Sequence, residues 1–97
     1  MSSCNEIHDQ YDQYANTHVQ VGQLPAWMHV SGKVVWYVFQ GPYSSLPIGW
    51  TDFWKKVLAS KVGEIVGPPG DVYVCNPDEH IGSEQKLTTI LWAPLKQ

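Results

Sequence analysis

Arginine is absent from this sequence of 97 residues, in which six lysines and nine carboxylates give a formal net charge of -3. Arginine is the side chain that contacts guanine edges and holds phosphates with two parallel hydrogen bonds. The lysines form no cluster that would take over this role. We therefore expect neither DNA nor RNA as a partner.

Long apolar runs are also missing, since a membrane-spanning helix needs about 20 consecutive apolar residues. The first ten residues have neither the basic start nor the apolar core of a signal peptide. These absences predict that the protein does not enter a membrane and that it is located in the cytoplasm.

Cysteine and metal-binding motifs are scarce. Cys4 and Cys75 do not form a Cys-x-x-Cys pair, so we expect free thiols and not a disulfide framework. The four histidines share no spacing typical of metal ligands, and no Gly-x-Ser-x-Gly motif is present. The sequence therefore predicts no metal, no cofactor and no assignable catalytic residue.

Aromatic residues are the abundant feature. A hydrophobic fraction of 43% with 15% charged residues is typical of one folded domain. Five tryptophans and five tyrosines are more than so small a core can hold. We expect some of them to line a binding surface or an oligomer interface.

Hydrophobic patterning predicts an α+β fold, a small antiparallel sheet with one amphipathic helix on one face. Residues 1–16 are polar and form a flexible arm in this interpretation, and residues 17–97 form the folded domain. The predicted elements are a strand at 17–23, an extended segment at 27–30, a strand at 34–40, a helix capped by Ser45 and stopped at Gly63, strands at 71–75 and 87–93, and a polar loop at 76–85.

The two faces of the predicted sheet differ in character. The apolar stripe of the helix, to which Phe53 and Trp54 belong, needs one face. Val72, Val74, Leu91 and Ala93 suit that face by size and alternation. The other face would carry Asp71, Tyr73, Ile90, Trp92 and Trp36, although a slip of one residue would exchange Trp36 with Tyr37. We expect a second protomer, a ligand or both to cover this open face.

An ordered set of motifs lies between Val34 and Pro94. They are Gly41-Pro42-Tyr43, Leu46-x-x-x-Trp50, Gly67-Pro68, Asp71-Val72-Tyr73, Asn76-Pro77 and Thr89-x-Leu91-Trp92-x-Pro94. In this order they resemble the GyrI-like small-molecule-binding domain, the effector-binding domain of AraC-type and MerR-type multidrug regulators. That family has two such modules around a central ligand groove, whereas this chain has room for one. The resemblance therefore implies a stand-alone homodimer without a DNA-binding domain.

The resemblance also implies a ligand site. The family carries an acidic residue, generally glutamate, two positions before a tyrosine, and Asp71 and Tyr73 match these positions. A carboxylate among aromatic rings attracts cations through charge and through the ring faces. The expected ligand is a lipophilic cation, held by a sensor or sequestering protein. The expected contacts are Asp71, Tyr73, Trp92, Trp36 and Ile90, with Tyr43 and Trp27 at the rim.

Other interpretations stay open at this point. The resemblance also implies a second activity, because some GyrI-like proteins hydrolyse electrophilic, cyclopropane-type toxins in the same groove, and Asp71 would then be the acid. The chain could also be a protein-interaction module similar to gyrase inhibitors. Asp71 could simply be a turn carboxylate, and Tyr73 and Trp92 could pack across a dimer interface without touching a ligand.

Overall fold

The computed structural model describes residues 10, 11, 13–74 and 87–96. It confirms the α+β class, with a four-stranded antiparallel sheet and a helix packed on it. The elements are β1 (Gln20–Gly22), β2 (Val34–Gln40), α1 (Leu46–Ser60), β3 (Gly70–Tyr73) and β4 (Thr88–Pro94), with single 3-10 turns at Ala26–Met28 and Tyr43–Ser45. The strands are arranged in the order β1-β2-β4-β3.

β2 lies at the centre of the sheet and has the bounds that the sequence predicts. Its residues are almost all β-branched or aromatic, and such side chains pack well on a pleated surface. β2 pairs with β4 along its whole length, from Val34 opposite Pro94 to Gln40 opposite Thr88. β4 is thus shifted by one residue from the predicted strand, because it begins at Thr88 and not at Leu87, and it includes Pro94.

α1 begins after Ser45, as predicted, and Pro47 lies in its first turn, where a missing N–H costs nothing. The Ser45 side chain makes no capping hydrogen bond, so that part of the prediction is wrong. The helix also ends earlier than predicted, at Ser60, because Lys61 turns the chain with a left-handed φ of 50°.

Two hydrophobic clusters lie on opposite sides of the sheet. The side facing α1 is called the helix face. Its buried members are Val35, Tyr37, Phe39, Phe53, Val57, Leu91, Ala93 and Leu95. Tyr37 is on this face and Trp36 on the other, as predicted.

The other side is called the arm face, because the described end of the predicted arm packs on it. Its buried members are Tyr11, Leu24, Met28, Val34, Val38, Val74 and Ile90. Tyr14 and Ala15 pack against this cluster, and Ala15 forms a parallel bridge with Val38. Much of the cover that we expected from a second protomer is therefore supplied by the chain itself.

Several predicted boundaries need correction. The segment at 27–30 is not extended, because Ala26–Met28 form a 3-10 turn and His29 follows with a φ of 57°. The first strand is confined to Gln20–Gly22. β3 begins one residue earlier than predicted, at Gly70, and ends at Tyr73, while the predicted end at Cys75 lies outside the described residues. The predicted loop at 76–85 lies outside the described residues.

The predicted face assignment of β3 is wrong. Asp71 is opposite Leu91 and Tyr73 opposite Thr89, which places Asp71 and Tyr73 on the helix face. Val72 is opposite Ile90, on the arm face. The prediction assumed one covered face, but both faces are covered, so Val72 and Val74 fill the arm-face cluster.

Gly70 allows β3 to pair with β4 in this register. It lies opposite Trp92, and a Cβ atom at Gly70 would overlap the Trp92 indole ring. The absence of a side chain therefore lets the indole lie across the edge strand. Strand glycines are often found where another group approaches the backbone this closely.

Candidate functional site

The structure does not bring the seven predicted ligand residues together. Asp71, Tyr73 and Tyr43 meet on the helix side of the sheet. Trp36, Ile90 and Trp92 lie on the arm face. Trp27 is in the 3-10 turn between β1 and β2. The sheet separates the first two groups, so a single site containing both is excluded.

The tyrosine–aspartate cluster (Tyr43, Asp71 and Tyr73) joins a carboxylate to two aromatic rings. The Tyr73 hydroxyl donates to Asp71 Oδ2 at 3.4 Å, a long hydrogen bond. The rings of Tyr43 and Tyr73 meet edge to face, with centroids 5.1 Å apart and an interplanar angle of 64°. Tyr73 is 52% exposed and Asp71 is also exposed. A ligand therefore has access to both the charge and the rings.

Local structure explains how these side chains meet. Asp71 and Tyr73 are two residues apart on a strand, so they project from the same face. Tyr43 belongs to the 3-10 turn that leads from β2 into α1. The Tyr43 ring therefore comes from a turn more than twenty residues before Asp71 in the sequence. Its contact with Tyr73 is evident only from the folded structure.

The phenols of the cluster remain protonated well into the alkaline range. Burial raises the pKa of Tyr43, and the neighbouring Tyr73 raises it further. Burial also raises the pKa of Tyr73, followed by the charge of Asp71 and the hydrogen bond to it. Both rings are therefore neutral near pH 7, and Asp71 is the acidic side chain of the cluster.

The arm-face residues are held in a packed environment. Ile90 has no exposed surface. Trp36 contacts Tyr11 at 5.9 Å and Tyr14 at 5.4 Å between ring centroids, both edge to face. Trp92 lies directly opposite Trp36, and its buried Nε1 has no hydrogen-bond partner. Tyr11 and Tyr14 thus occupy the surface of Trp36 that was predicted to contact a ligand.

Trp27 is 45% exposed and contacts neither group through a described ring interaction. A cavity of about 570 Å³ lies in the same loop region. It is lined by Gln23, Leu24, Ala26, His29, Val30, Ser31 and Gly32. Neither Trp27 nor any carboxylate is among these lining residues, so the cavity is separate from the predicted ligand contacts.

Thr89 is a polar residue that sequence reasoning missed. It is fully buried on the helix face, opposite Tyr73, and its Oγ1 has no hydrogen-bond partner. A buried hydroxyl without a partner is uncommon. The sequence gives little indication that Thr89 is unusual, because threonine is a common strand residue and the rest of this strand is mostly apolar.

Within the described ranges, no group of three His, Cys, Asp or Glu residues is placed to hold a metal ion. None of the helices in those ranges has the length and apolar character required to cross a membrane. Searches with protein-family models, among curated proteins and among solved structures found no match to this chain. The resemblance to GyrI-like domains therefore remains a prediction from the order of its motifs.

Proposed function

We propose that the chain binds lipophilic organic cations at the tyrosine–aspartate cluster, as a sensor or sequestering protein. One observation carries this proposal. The exposed Asp71 carboxylate lies within reach of the Tyr73 hydroxyl, and Tyr73 in turn contacts the ring of Tyr43. A cation beside these groups would meet one negative charge and two electron-rich ring faces.

The physical contributions favour a cation over a neutral ligand. An exposed ring contributes about 0.5–1 kcal/mol to binding a cation. A unit charge about 4 Å away in water adds roughly 1 kcal/mol. Because the cluster is open to solvent, we expect modest affinity for single small cations and higher affinity for those with apolar groups that cover Tyr73.

This proposal keeps the ligand class that the sequence predicts and reduces the contact set. The sequence predicts Tyr43 at the rim of the site, whereas the proposal makes it a central ligand contact, because its ring lies against Tyr73. Trp36, Ile90 and Trp92 are left out because they belong to the arm-face cluster on the other side of the sheet. Trp27 is left out because it lies in the 3-10 turn between β1 and β2. The homodimer and the cytoplasmic location predicted from the sequence stay part of the proposal.

The hydrolase alternative receives no support from the geometry. It requires an acid buried in a dry aromatic groove, and Asp71 is exposed. A protein partner at the exposed tyrosines is an outcome that the binding experiment would detect, since cations would then fail to bind.

The proposal can be tested by calorimetric titration with tetraphenylphosphonium and tetraphenylborate, which match in shape and differ in charge. We expect saturable binding of the cation and weak or no binding of the anion. Asp71→Asn should lower affinity for the cation about fivefold, the effect of roughly 1 kcal/mol. Tyr73→Ala should lower it further, while Tyr73→Phe, which keeps the ring, should change it little.

Asp52→Asn is the matched control, because it removes the same charge from α1 outside the cluster. It should leave the affinity within about twofold of wild type, since the charge of Asp52 acts on Tyr37, which belongs to the helix-face core and not to the tyrosine–aspartate cluster. Equal affinities for the cation and the anion, or equal effects of Asp52→Asn and Asp71→Asn, would contradict the proposal.

A further inference from the structure

The outer edge of β3 is open within the part of the chain that the structure describes. β3 is at the end of the strand order, beside β4. Val74 donates its backbone N–H to the Thr88 carbonyl at 3.0 Å, so Val74 and Val72 direct their backbone groups toward β4. Asp71 and Tyr73 alternate with them and direct their N–H and C=O groups away from the sheet. Outward N–H and C=O groups along the edge of a sheet can pair with another strand.

We propose that this edge pairs with β3 of a second copy of the chain, antiparallel, about a two-fold axis at Val72. Asp71 of each copy then lies opposite Tyr73 of the other. Every outward N–H and C=O of these residues finds a partner across the axis. The contact uses the same surface on both copies, so it closes at a dimer and does not propagate into a fibre.

Charge and backbone chemistry favour this register. A register centred on Asp71 would set two carboxylates directly opposite each other, which is destabilising. It would also place Tyr73 opposite Pro69, which has no N–H to donate. The register centred on Val72 instead puts a carboxylate acceptor beside a phenol donor. The same pairing already exists within one chain, between Tyr73 Oη and Asp71 Oδ2.

This dimer would change the candidate site, a consequence that rests on the proposed function. Paired residues project from the same face, so both tyrosine–aspartate clusters would lie on one side of a continuous sheet. Tyr73 of the second copy would contribute a ring beside Asp71. The two Asp71 Cα atoms would be roughly 9 Å apart, from strand spacing and rise per residue. Ligands with two cationic centres at a similar separation should therefore bind best.

Disulfide trapping tests the register directly, in the full chain with Cys4→Ser and Cys75→Ser to remove the native thiols. Directly opposite residues of a non-hydrogen-bonded pair have Cα atoms about 4.5 Å apart, within the range that a disulfide spans. Val72→Cys should therefore give a cross-linked dimer under mild oxidation. Asp71→Cys is the matched control and should not, because about 9 Å exceeds the limit of roughly 7 Å.

Cross-linking of Asp71→Cys as efficiently as Val72→Cys, or of neither variant in folded protein, would overturn the proposal. A second comparison applies if Val72→Cys fails to fold. Asp71→Pro and Asp71→Ala both remove the carboxylate, but only proline removes the outward N–H. Sedimentation should show the dimer dissociation constant raised about tenfold or more in Asp71→Pro relative to Asp71→Ala. Equal constants would overturn the proposal.

These measurements are made without ligand, so they separate this inference from the proposed function. A cross-linked dimer that does not bind tetraphenylphosphonium would retain the β3 pairing and reject the cation site. A protein that stays monomeric and binds the cation would retain the cation site at the tyrosine–aspartate cluster and reject the β3 pairing. If the β3 pairing and the cation site are both present, a bis-quaternary ammonium should bind the wild-type dimer at least tenfold more tightly than a quaternary ammonium with one of its two cationic centres.

Discussion

Asn16 connects the N-terminal segment to β2 through both its backbone and its side chain. Its backbone N–H donates to the Val38 carbonyl at 2.8 Å. Its amide Nδ2 donates to the Gln40 carbonyl, and the Gln40 N–H donates to Asn16 Oδ1, both at 3.2 Å. Asn16 also has a φ of 54°, a conformation that asparagine adopts more readily than most residues. One side chain thus anchors the segment that covers Trp36.

Asn16→Ala should lower the free energy of unfolding by about 1–2 kcal/mol, because it removes two hydrogen bonds and leaves alanine in a left-handed conformation. Urea denaturation followed by tryptophan fluorescence would measure this loss. Gln13→Ala, which removes an exposed amide from the same segment, should change stability by less than about 0.5 kcal/mol. Equal effects of the two substitutions would show that Asn16 is not an anchor.

At the scale of the elements, the close contact between α1 and β2 depends on Gly49. A Cβ atom at this position would lie 2.8 Å from Cδ1 of the Phe39 ring. Glycine is an unfavourable residue inside a helix, at a cost of about 1 kcal/mol relative to alanine. Its position here therefore reflects the distance between the two elements and not helix propensity.

We expect Gly49→Ala to destabilise the protein although alanine is the better helix former. Overpacking against Phe39 costs about 1–3 kcal/mol and outweighs the gain in propensity. Thermal unfolding by circular dichroism should show a lower midpoint. Lys55→Ala, at an exposed position of the same helix, should leave the midpoint nearly unchanged. A higher midpoint for Gly49→Ala would mean that α1 moves away from the sheet without cost.

Elements with strong local signals could be predicted from the sequence, and contacts between them could not. β2 has the predicted bounds because its β-branched and aromatic residues leave little choice. The alternation of Asp71 and Tyr73 with two valines fits either orientation of β3, since each face of the sheet needs apolar residues. The register of β3 against β4 decides between them, and nothing local encodes that register.

The candidate site likewise contains one contact that the sequence predicts and others that it does not. Asp71 and Tyr73 could be predicted as a pair, because two residues of one strand share a face whichever face it is. Their separation from Trp92 could not, because it depends on the register of β3 against β4. The contact between Tyr43 and Tyr73 requires knowledge of where α1 begins relative to the end of β3.

For the whole molecule, four tyrosines couple folding to alkaline pH. Burial is the largest cause that raises the pKa of Tyr11, Tyr37, Tyr43 and Tyr73 above the model-compound value of 10.0. Above that pH the unfolded chain loses these protons before the folded chain does. Stability is therefore retained below pH 10 and falls as the pH rises through the folded-state pKa values.

The thermal midpoint should consequently decrease between about pH 9 and pH 11, while tyrosinate absorbance near 295 nm rises at higher pH in the folded chain than in the urea-unfolded chain. The absorbance reports tyrosine ionisation without interference from lysine. Coincident tyrosine titrations in the folded and unfolded chain would contradict the raised pKa values of these four phenols.

The central pairing of β2 with β4 also has a consequence for biosynthesis. β2 cannot obtain its main neighbour until Thr88–Pro94 have been made, and roughly half of the chain lies between the two strands. Closing so long a loop before any compensating contact forms is slow. While β2 emerges from the ribosome, only the three residues of β1 and Ala15 are available to pair with it. Folding is therefore expected to reach completion only after β4 has left the exit tunnel.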